Sequence, residues 1–105
     1  MMRKSYVFLL TDNDRKRHEH LVERGEVVGF VVQYETKVND KWMPVVRFDT
    51  AHGYGHKDLI NPDGTKEKIL MGDVSYNELL TKADQDINEN WMRYKNRFFR
   101  RMKNG

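Results

Sequence analysis

The sequence predicts an α+β protein, in which a meander sheet of four or five antiparallel strands carries one long C-terminal helix on one face. Apolar residues alternate with other residues from 27 to 38, which is typical of a half-buried strand. Strand-like segments follow as far as residue 71, and from Ser75 no Gly or Pro interrupts the chain until Gly105. At 105 residues the chain is expected to form a single domain over 1–105, a two-layer sandwich.

The first quarter of the chain predicts a strand and then a helix. Residues 5–10 are apolar and β-prone, whereas 12–24 suits a short surface helix that Asp12 or Asn13 could cap and Gly25 could end. His18 and His20 lie two residues apart in this segment. On a helix that spacing would direct them to different sides, which disfavours a metal-binding pair.

The pairing of the alternating run with the next strand, 42–50, predicts which face each side chain occupies. A three-residue turn would set Tyr34 opposite Val46, whereas a two-residue turn would place Arg47 and Asp49 among the core residues, at a high desolvation cost. We therefore predict an odd-length turn with a bulge, and Arg47 and Asp49 on the face away from the core.

The rest of the chain predicts a corner, a hairpin and the helix. Gly53 and Gly55 allow the corner, and Asn61-Pro62-Asp63-Gly64 is typical of a type I turn between strands at 56–61 and 65–71. Ser75 and Glu78 form a capping box that begins the helix. Its predicted buried stripe recurs every three or four residues: Leu80, Ala83, Ile87, Trp91, Tyr94, Phe98 and Met102.

Composition narrows the class of protein. There is no Cys, so disulfides and thiolate zinc sites are excluded, and no apolar run approaches the roughly 20 residues that span a bilayer. A cytoplasmic protein is expected. The net charge is +3, and residues 91–105 carry six Lys or Arg and no acid, with a second basic cluster at Arg15-Lys16-Arg17. Such clusters favour polyanions such as RNA, but cations also suit a solvated helix end.

Residues 45–58 concentrate the groups that could carry chemistry, and three interpretations compete. The first is metal-independent phosphodiester cleavage, in which His52 and His56 transfer protons and Arg47 or Lys57 contacts the phosphate. Asp49 or Asp58 would orient an imidazole, and Tyr54 could stack on a base.

The second interpretation is a metal site made by Asp49, His52, His56 and Asp58, whose imidazole and carboxylate groups suit Zn, Mn or Fe. The third is structural, because Asp and Thr side chains often satisfy turn amides in a Gly-rich corner.

A family resemblance bears on this choice. Arg47-Phe48-Asp49-Thr50-Ala51-His52-Gly53, then His56-Lys57-Asp58 and Pro62-Asp63-Gly64, resembles a family of small uncharacterised archaeal and bacterial proteins with the pattern Arg-Tyr-Asp-Thr-Ala-His-Gly. Asp86-Ile87 and Asn90-Trp91-x-x-Tyr94 resemble that family's helix signature. The family in turn distantly resembles the TumE-type toxins of toxin–antitoxin pairs, which have a richer His cluster where this chain has His56.

The resemblance implies a ribonuclease-like toxin that a helix-turn-helix antitoxin neutralises, with no cofactor. Arg47, Asp49, His52 and His56 carry over as its catalytic residues. We expect RNA to be contacted by Lys57, Tyr54, Arg97, Arg100 and Arg101. The alternative is a non-catalytic module that binds RNA or a protein through the same polar sheet face. A homodimer formed through the strand that bears Trp42 and Pro44 is a further alternative.

Overall fold

The computed structural model describes residues 1–104, which form a six-stranded antiparallel sheet and one long helix. The strands lie side by side in chain order, so the predicted α+β meander is confirmed, with six strands instead of four or five. The elements are β1 Met2–Thr11, β2 Asp14–Glu23, β3 Glu26–Val38, β4 Lys41–Asp49, β5 His56–Ile60, β6 Lys66–Leu70 and α1 Tyr76–Asn104.

The additional strand is β2, and the short helix predicted over 12–24 is wrong. β2 pairs along its whole length with β3, and from Asp14 to Val22 with β1. Arg24 and Gly25, with φ of 52° and 77°, form a two-residue hairpin turn, so Gly25 turns the chain between strands where we expected it to end a helix. Pairing on both sides outweighs the local helix propensity of this charged segment.

In the β3–β4 hairpin the side chains project to the predicted sides of the sheet, but the turn has a different length from the one predicted. Tyr34 pairs with Val46 as predicted, and Arg47 and Asp49 project away from the core. The odd-length turn is wrong, since Asn39 and Asp40, with φ of 50° and 64°, make a two-residue turn. The predicted bulge lies inside β4 and corrects the register.

Helix α1 packs on β3 and β4 and encloses the core between the two layers. Its first turn is capped as predicted, because Ser75 Oγ accepts a hydrogen bond from the Glu78 amide at 3.2 Å. Met102 of the predicted stripe is exposed, and so is Val28, which belongs to the apolar set of the alternating run that was predicted to be half-buried. The buried hydrophobic residues are Phe30, Val32, Tyr34, Val45, Val46, Phe48, Leu79, Ala83, Ile87, Tyr94 and Phe98.

The strand that bears Trp42 and Pro44 lies inside the sheet, whose edges are β1 and β6. β4 is therefore not an edge strand, so the predicted edge through which a homodimer would form is wrong. Pro44 has no backbone N–H to donate, which predicts a position that is unpaired on one side. It lies before the stretch from Val46 to Asp49 that pairs with β5. Within residues 1–104, no helix is long and apolar enough to cross a membrane.

Candidate functional site

The sheet face away from α1, here called the open face, contains a hollow of about 380 Å³ over β3–β6. All four residues predicted as catalytic line this open-face hollow. Its ionisable lining consists of Arg47, Asp49, His52, His56, Asp58, Lys66 and Lys68. The sequence-derived cluster is thus a real spatial cluster, and it lies on the side opposite the helix.

Strand pairing explains why these groups meet. Asp49 pairs with His56 and Arg47 pairs with Asp58 in the antiparallel β4–β5 ladder. Because side chains alternate between faces along a strand, all four project onto the open face. Lys68, which pairs with Asp58 on β6, also projects there.

Asp49 is the centre of the cluster. It is buried, and its Oδ2 accepts a hydrogen bond from Arg47 Nε at 2.6 Å. Its Oδ1 lies 2.6 Å from His56 Nε2 and accepts a hydrogen bond from the Ala51 amide at 3.3 Å. The carboxylate therefore orients a guanidinium, an imidazole and the first residue of the following turn.

His52 lies on the short 3-10 turn Ala51–Gly53 and is exposed. Its φ of 70° is left-handed, a conformation that costs a non-Gly residue free energy. Gly53 shares that conformation, with φ of 84°, whereas Gly55 is needed for space, because a Cβ there would lie 2.5 Å from Leu79 Cδ1. The turn thus presents the His52 imidazole at the rim of the hollow.

Asp58 and His56 are both 2 % exposed and carry unpaired polar atoms. Asp58 Oδ1 and His56 Nδ1 have no hydrogen-bond partner among the described residues. Asp58 Oδ2 lies 3.7 Å from His56 Nε2 and 3.8 Å from Lys66 Nζ, both longer than a normal hydrogen bond. Asp49, His56 and Asp58 offer three potential metal-ligand atoms within 4.8 Å of one another.

The cluster continues across the sheet through residues that sequence reasoning missed. Arg47 donates a hydrogen bond to Gln33 Oε1 at 3.4 Å, and Gln33 donates to Glu35. Arg15 and Arg17 lie 2.6 and 3.3 Å from the buried Glu35, so these two cations have a structural partner. The period-two facing of β3 could have placed Gln33 and Glu35 beside Arg47, because all three lie on the same side of one hairpin.

The predicted RNA-contacting residues are divided between the two faces. Tyr54 is 42 % exposed, and its ring centroid lies 5.6 Å from that of His56. Lys57 projects to the helix side, where its Nζ donates to Tyr94 Oη at 2.6 Å. Arg97 and Arg101 lie 3.6 and 3.9 Å from Glu67, and Arg100 is exposed on the helix. Of the five residues, Tyr54 is the one that neighbours the hollow.

These features define a small α+β protein with an open, ionisable hollow on the uncovered face of its sheet. The chain belongs to the family described as Domain of unknown function (DUF7718), whose model matches residues 1–104. No curated protein and no solved structure matches the chain. The resemblance to TumE-type toxins stays a prediction.

Proposed function

We propose that this protein cleaves RNA in the open-face hollow, as a ribonuclease of the toxin type. The observation that carries the proposal is that Arg47, Asp49, His52 and His56 line one hollow that the helix leaves open. Cleavage next to a 2′-hydroxyl requires a proton acceptor, a proton donor and a cation for the charge that develops on the phosphate. The hollow contains candidates for all three.

Each residue has a distinct role in this proposal. Arg47, whose side chain is 41 % exposed and held through Nε by Asp49, contacts the phosphate. His52, on the exposed turn, and His56, held by Asp49, share the proton transfers. Lys66 and Lys68 line the same hollow and add positive charge along the path of the RNA backbone.

Cleavage of a labelled single-stranded RNA by tag-free protein in EDTA tests the proposal. His52→Gln or Arg47→Gln should each reduce the rate by about 10²-fold or more, the usual contribution of a proton-transfer group or a charge-stabilising donor. Arg93→Gln, which removes an exposed cation on the helix, is the matched control and should leave the rate unchanged. Equal rates for all four proteins would reject the ribonuclease.

A non-catalytic RNA-binding module is the second candidate, and one observation favours it. His56 is 2 % exposed and its Nε2 is directed at Asp49, which restricts its access to substrate. This candidate predicts that RNA binding survives His52→Gln, weakens with rising salt and involves no cleavage. Binding and cleavage measured on the same RNA distinguish the two candidates.

A toxin also requires a neutralising partner, for which we propose an antitoxin with a helix-turn-helix DNA-binding part. Growth arrest on expression in bacteria, relieved by co-expression of an adjacent helix-turn-helix gene, would support the pair. The edge strand β1 supports such an interaction, because it exposes Val7, Phe8 and Leu9 and has no strand on its outer side. Growth arrest that persists in His52→Gln would contradict a catalytic toxin.

A further inference from the structure

We infer that Asp49, His56 and Asp58 form a binding site for a divalent transition-metal cation of the Mn²⁺ or Zn²⁺ class. The inference goes beyond the proposed function, because it rests on burial and donor geometry and does not require that RNA is the substrate. A cation bound to His56 Nε2 prevents that nitrogen from accepting or donating a proton. The cation would therefore inhibit any cleavage that uses His56.

The carboxylate of Asp58 is buried and weakly paired, which favours a bound cation. Asp58 is 2 % exposed, Oδ1 has no hydrogen-bond partner, and the two nitrogens nearest Oδ2, His56 Nε2 and Lys66 Nζ, lie at 3.7 and 3.8 Å. Burying a carboxylate is costly unless it is closely paired or coordinates a metal. Asp14, the comparable buried carboxylate on the other face, accepts hydrogen bonds from Tyr34, Thr36 and Lys95 at 2.6–3.0 Å. Among the buried carboxylates of residues 1–104, which are Asp14, Glu35, Asp49 and Asp58, Asp58 is the one that has an oxygen without a hydrogen-bond partner.

The three donor groups of Asp49, His56 and Asp58 also lie close enough together to share one cation. One atom from each residue lies within 4.8 Å of the other two, a spacing that a single ion can span. His56 directs the same nitrogen, Nε2, toward both carboxylates, at 2.6 Å from Asp49 and 3.7 Å from Asp58. A cation between them would take the place of these uneven contacts. The hollow that all three residues line provides the route of entry.

The donor set selects the class of cation. One imidazole with two carboxylates suits Mn²⁺, Zn²⁺ or Fe²⁺ better than Ca²⁺ or Mg²⁺, which prefer all-oxygen sites. Arg47 and Lys66 now balance the carboxylates, and their side chains are 41 % and 56 % exposed. Both can turn toward solvent when a cation neutralises Asp49 and Asp58.

The test uses full-length protein purified without a His-tag and stripped with EDTA. Zn²⁺, Mn²⁺ and Mg²⁺ are titrated by calorimetry, and thermal unfolding is followed with and without each cation, with no RNA present. Wild type should bind one Zn²⁺ or Mn²⁺ per chain and unfold at a higher temperature when loaded. Asp58→Asn should weaken binding by about 100-fold or more and lose the temperature shift.

Two comparisons separate a metal site from an ordinary ion-pair cluster. In EDTA, Asp58→Asn should unfold at the same temperature as wild type or higher, because it removes a poorly paired buried charge. Asp73→Asn, an exposed carboxylate near the end of β6, is the matched control and should bind the cation like wild type. No binding by wild type, or equal binding by wild type and Asp58→Asn, overturns the site.

RNA cleavage is measured separately, so the two proposals can fail independently. Metal binding without cleavage would leave the site intact and reject the ribonuclease. Cleavage in EDTA that Zn²⁺ or Mn²⁺ suppresses would support both, and cleavage without any metal binding would reject only the site.

Discussion

The covered and open faces of the sheet both bury carboxylates, and Asp14 beneath α1 is paired differently from Asp58 on the open face. Beneath α1, Lys16 donates to Asp84 and Asn88, and Asp14 accepts from Tyr34, Thr36 and Lys95. On the open face, Asp58 Oδ1 and His56 Nδ1 have no hydrogen-bond partner among the described residues, and on the covered face the same is true of His18 Nδ1. Since an unsatisfied buried carboxylate costs more free energy than a paired one, the difference between Asp14 and Asp58 supports the proposed metal site at Asp58.

Lys57 and Tyr94 show how charged side chains on the covered face are paired with the helix. Lys57 Nζ donates to Tyr94 Oη, which in turn donates to Asp86 at 2.6 Å. Burial, with the neighbouring Asp86, raises the pKa of the Tyr94 hydroxyl well above its ordinary value. This chain of contacts ties β5 to α1, so we assign it to stability. Lys57 and Tyr94 thus hold the helix, whereas Arg47, Asp49, His56 and Asp58 line the open-face hollow.

The largest effect on stability should come from Asp14→Ala. The substitution leaves buried donors on Tyr34, Thr36 and Lys95 without an acceptor and should lower the free energy of unfolding by about 3–5 kcal/mol. Urea unfolding measures it, with Asp12→Ala, an exposed neighbour, as the control. A loss below about 1 kcal/mol would contradict the view that the covered face depends on its paired charges.

A pair of lysine substitutions tests the division between the faces directly. Lys57→Met should lower the free energy of unfolding by about 1–3 kcal/mol, because Tyr94 and Asp86 lose a partner, and should leave RNA affinity unchanged. Lys68→Met, in the open-face hollow, should do the reverse, weakening RNA binding with a stability change within about 0.5 kcal/mol. Urea unfolding and fluorescence anisotropy measure the two quantities. Reduced RNA affinity in Lys57→Met would restore the role that the sequence predicted for it.

His52→Gly should separate stability from activity. Because His52 has φ of 70°, glycine should raise the free energy of unfolding by up to about 1 kcal/mol, while RNA cleavage is lost with the imidazole. Asn39→Gly is the matched control, since Asn39 also has a positive φ, of 50°, in a turn that does not line the hollow. It should stabilise without loss of cleavage. A His52→Gly protein that cleaves normally would remove His52 from the site.

The smallest effect should be a pH dependence on the covered face. Burial lowers the pKa of His18, as do His20 and Lys16, while Asp84 opposes them. Below about pH 6.5 the unfolded state therefore takes up the proton first, and stability falls as the pH drops toward the folded pKa. His18→Gln should flatten this part of the curve, measured by urea unfolding from pH 8 to 5. An unchanged slope would show that other groups dominate.

Local sequence patterns were enough to predict most of the architecture. The uninterrupted run after Ser75, with its apolar stripe, predicted α1, and strict alternation predicted β3. The cost of burying Arg47 and Asp49 in the core was enough to predict their face correctly, although the turn length was wrong. β2 was missed because its charged sequence has no apolar alternation, and pairing with two neighbours decides its structure.

The sequence by itself determined the helix-on-sheet architecture and the residues of the candidate site, because periodicity and desolvation act through neighbours along the chain. Only the tertiary structure decided which charged side chains are paired with other residues of the protein. In the sequence, Lys57 and Arg15 both look like free cations. In the structure, Lys57 is hydrogen-bonded to Tyr94 beneath the helix, and Arg15 on β2 is paired with Glu35 on β3. The unpaired oxygen of Asp58 also became visible only in three dimensions, because hydrogen-bond satisfaction depends on residues distant in sequence.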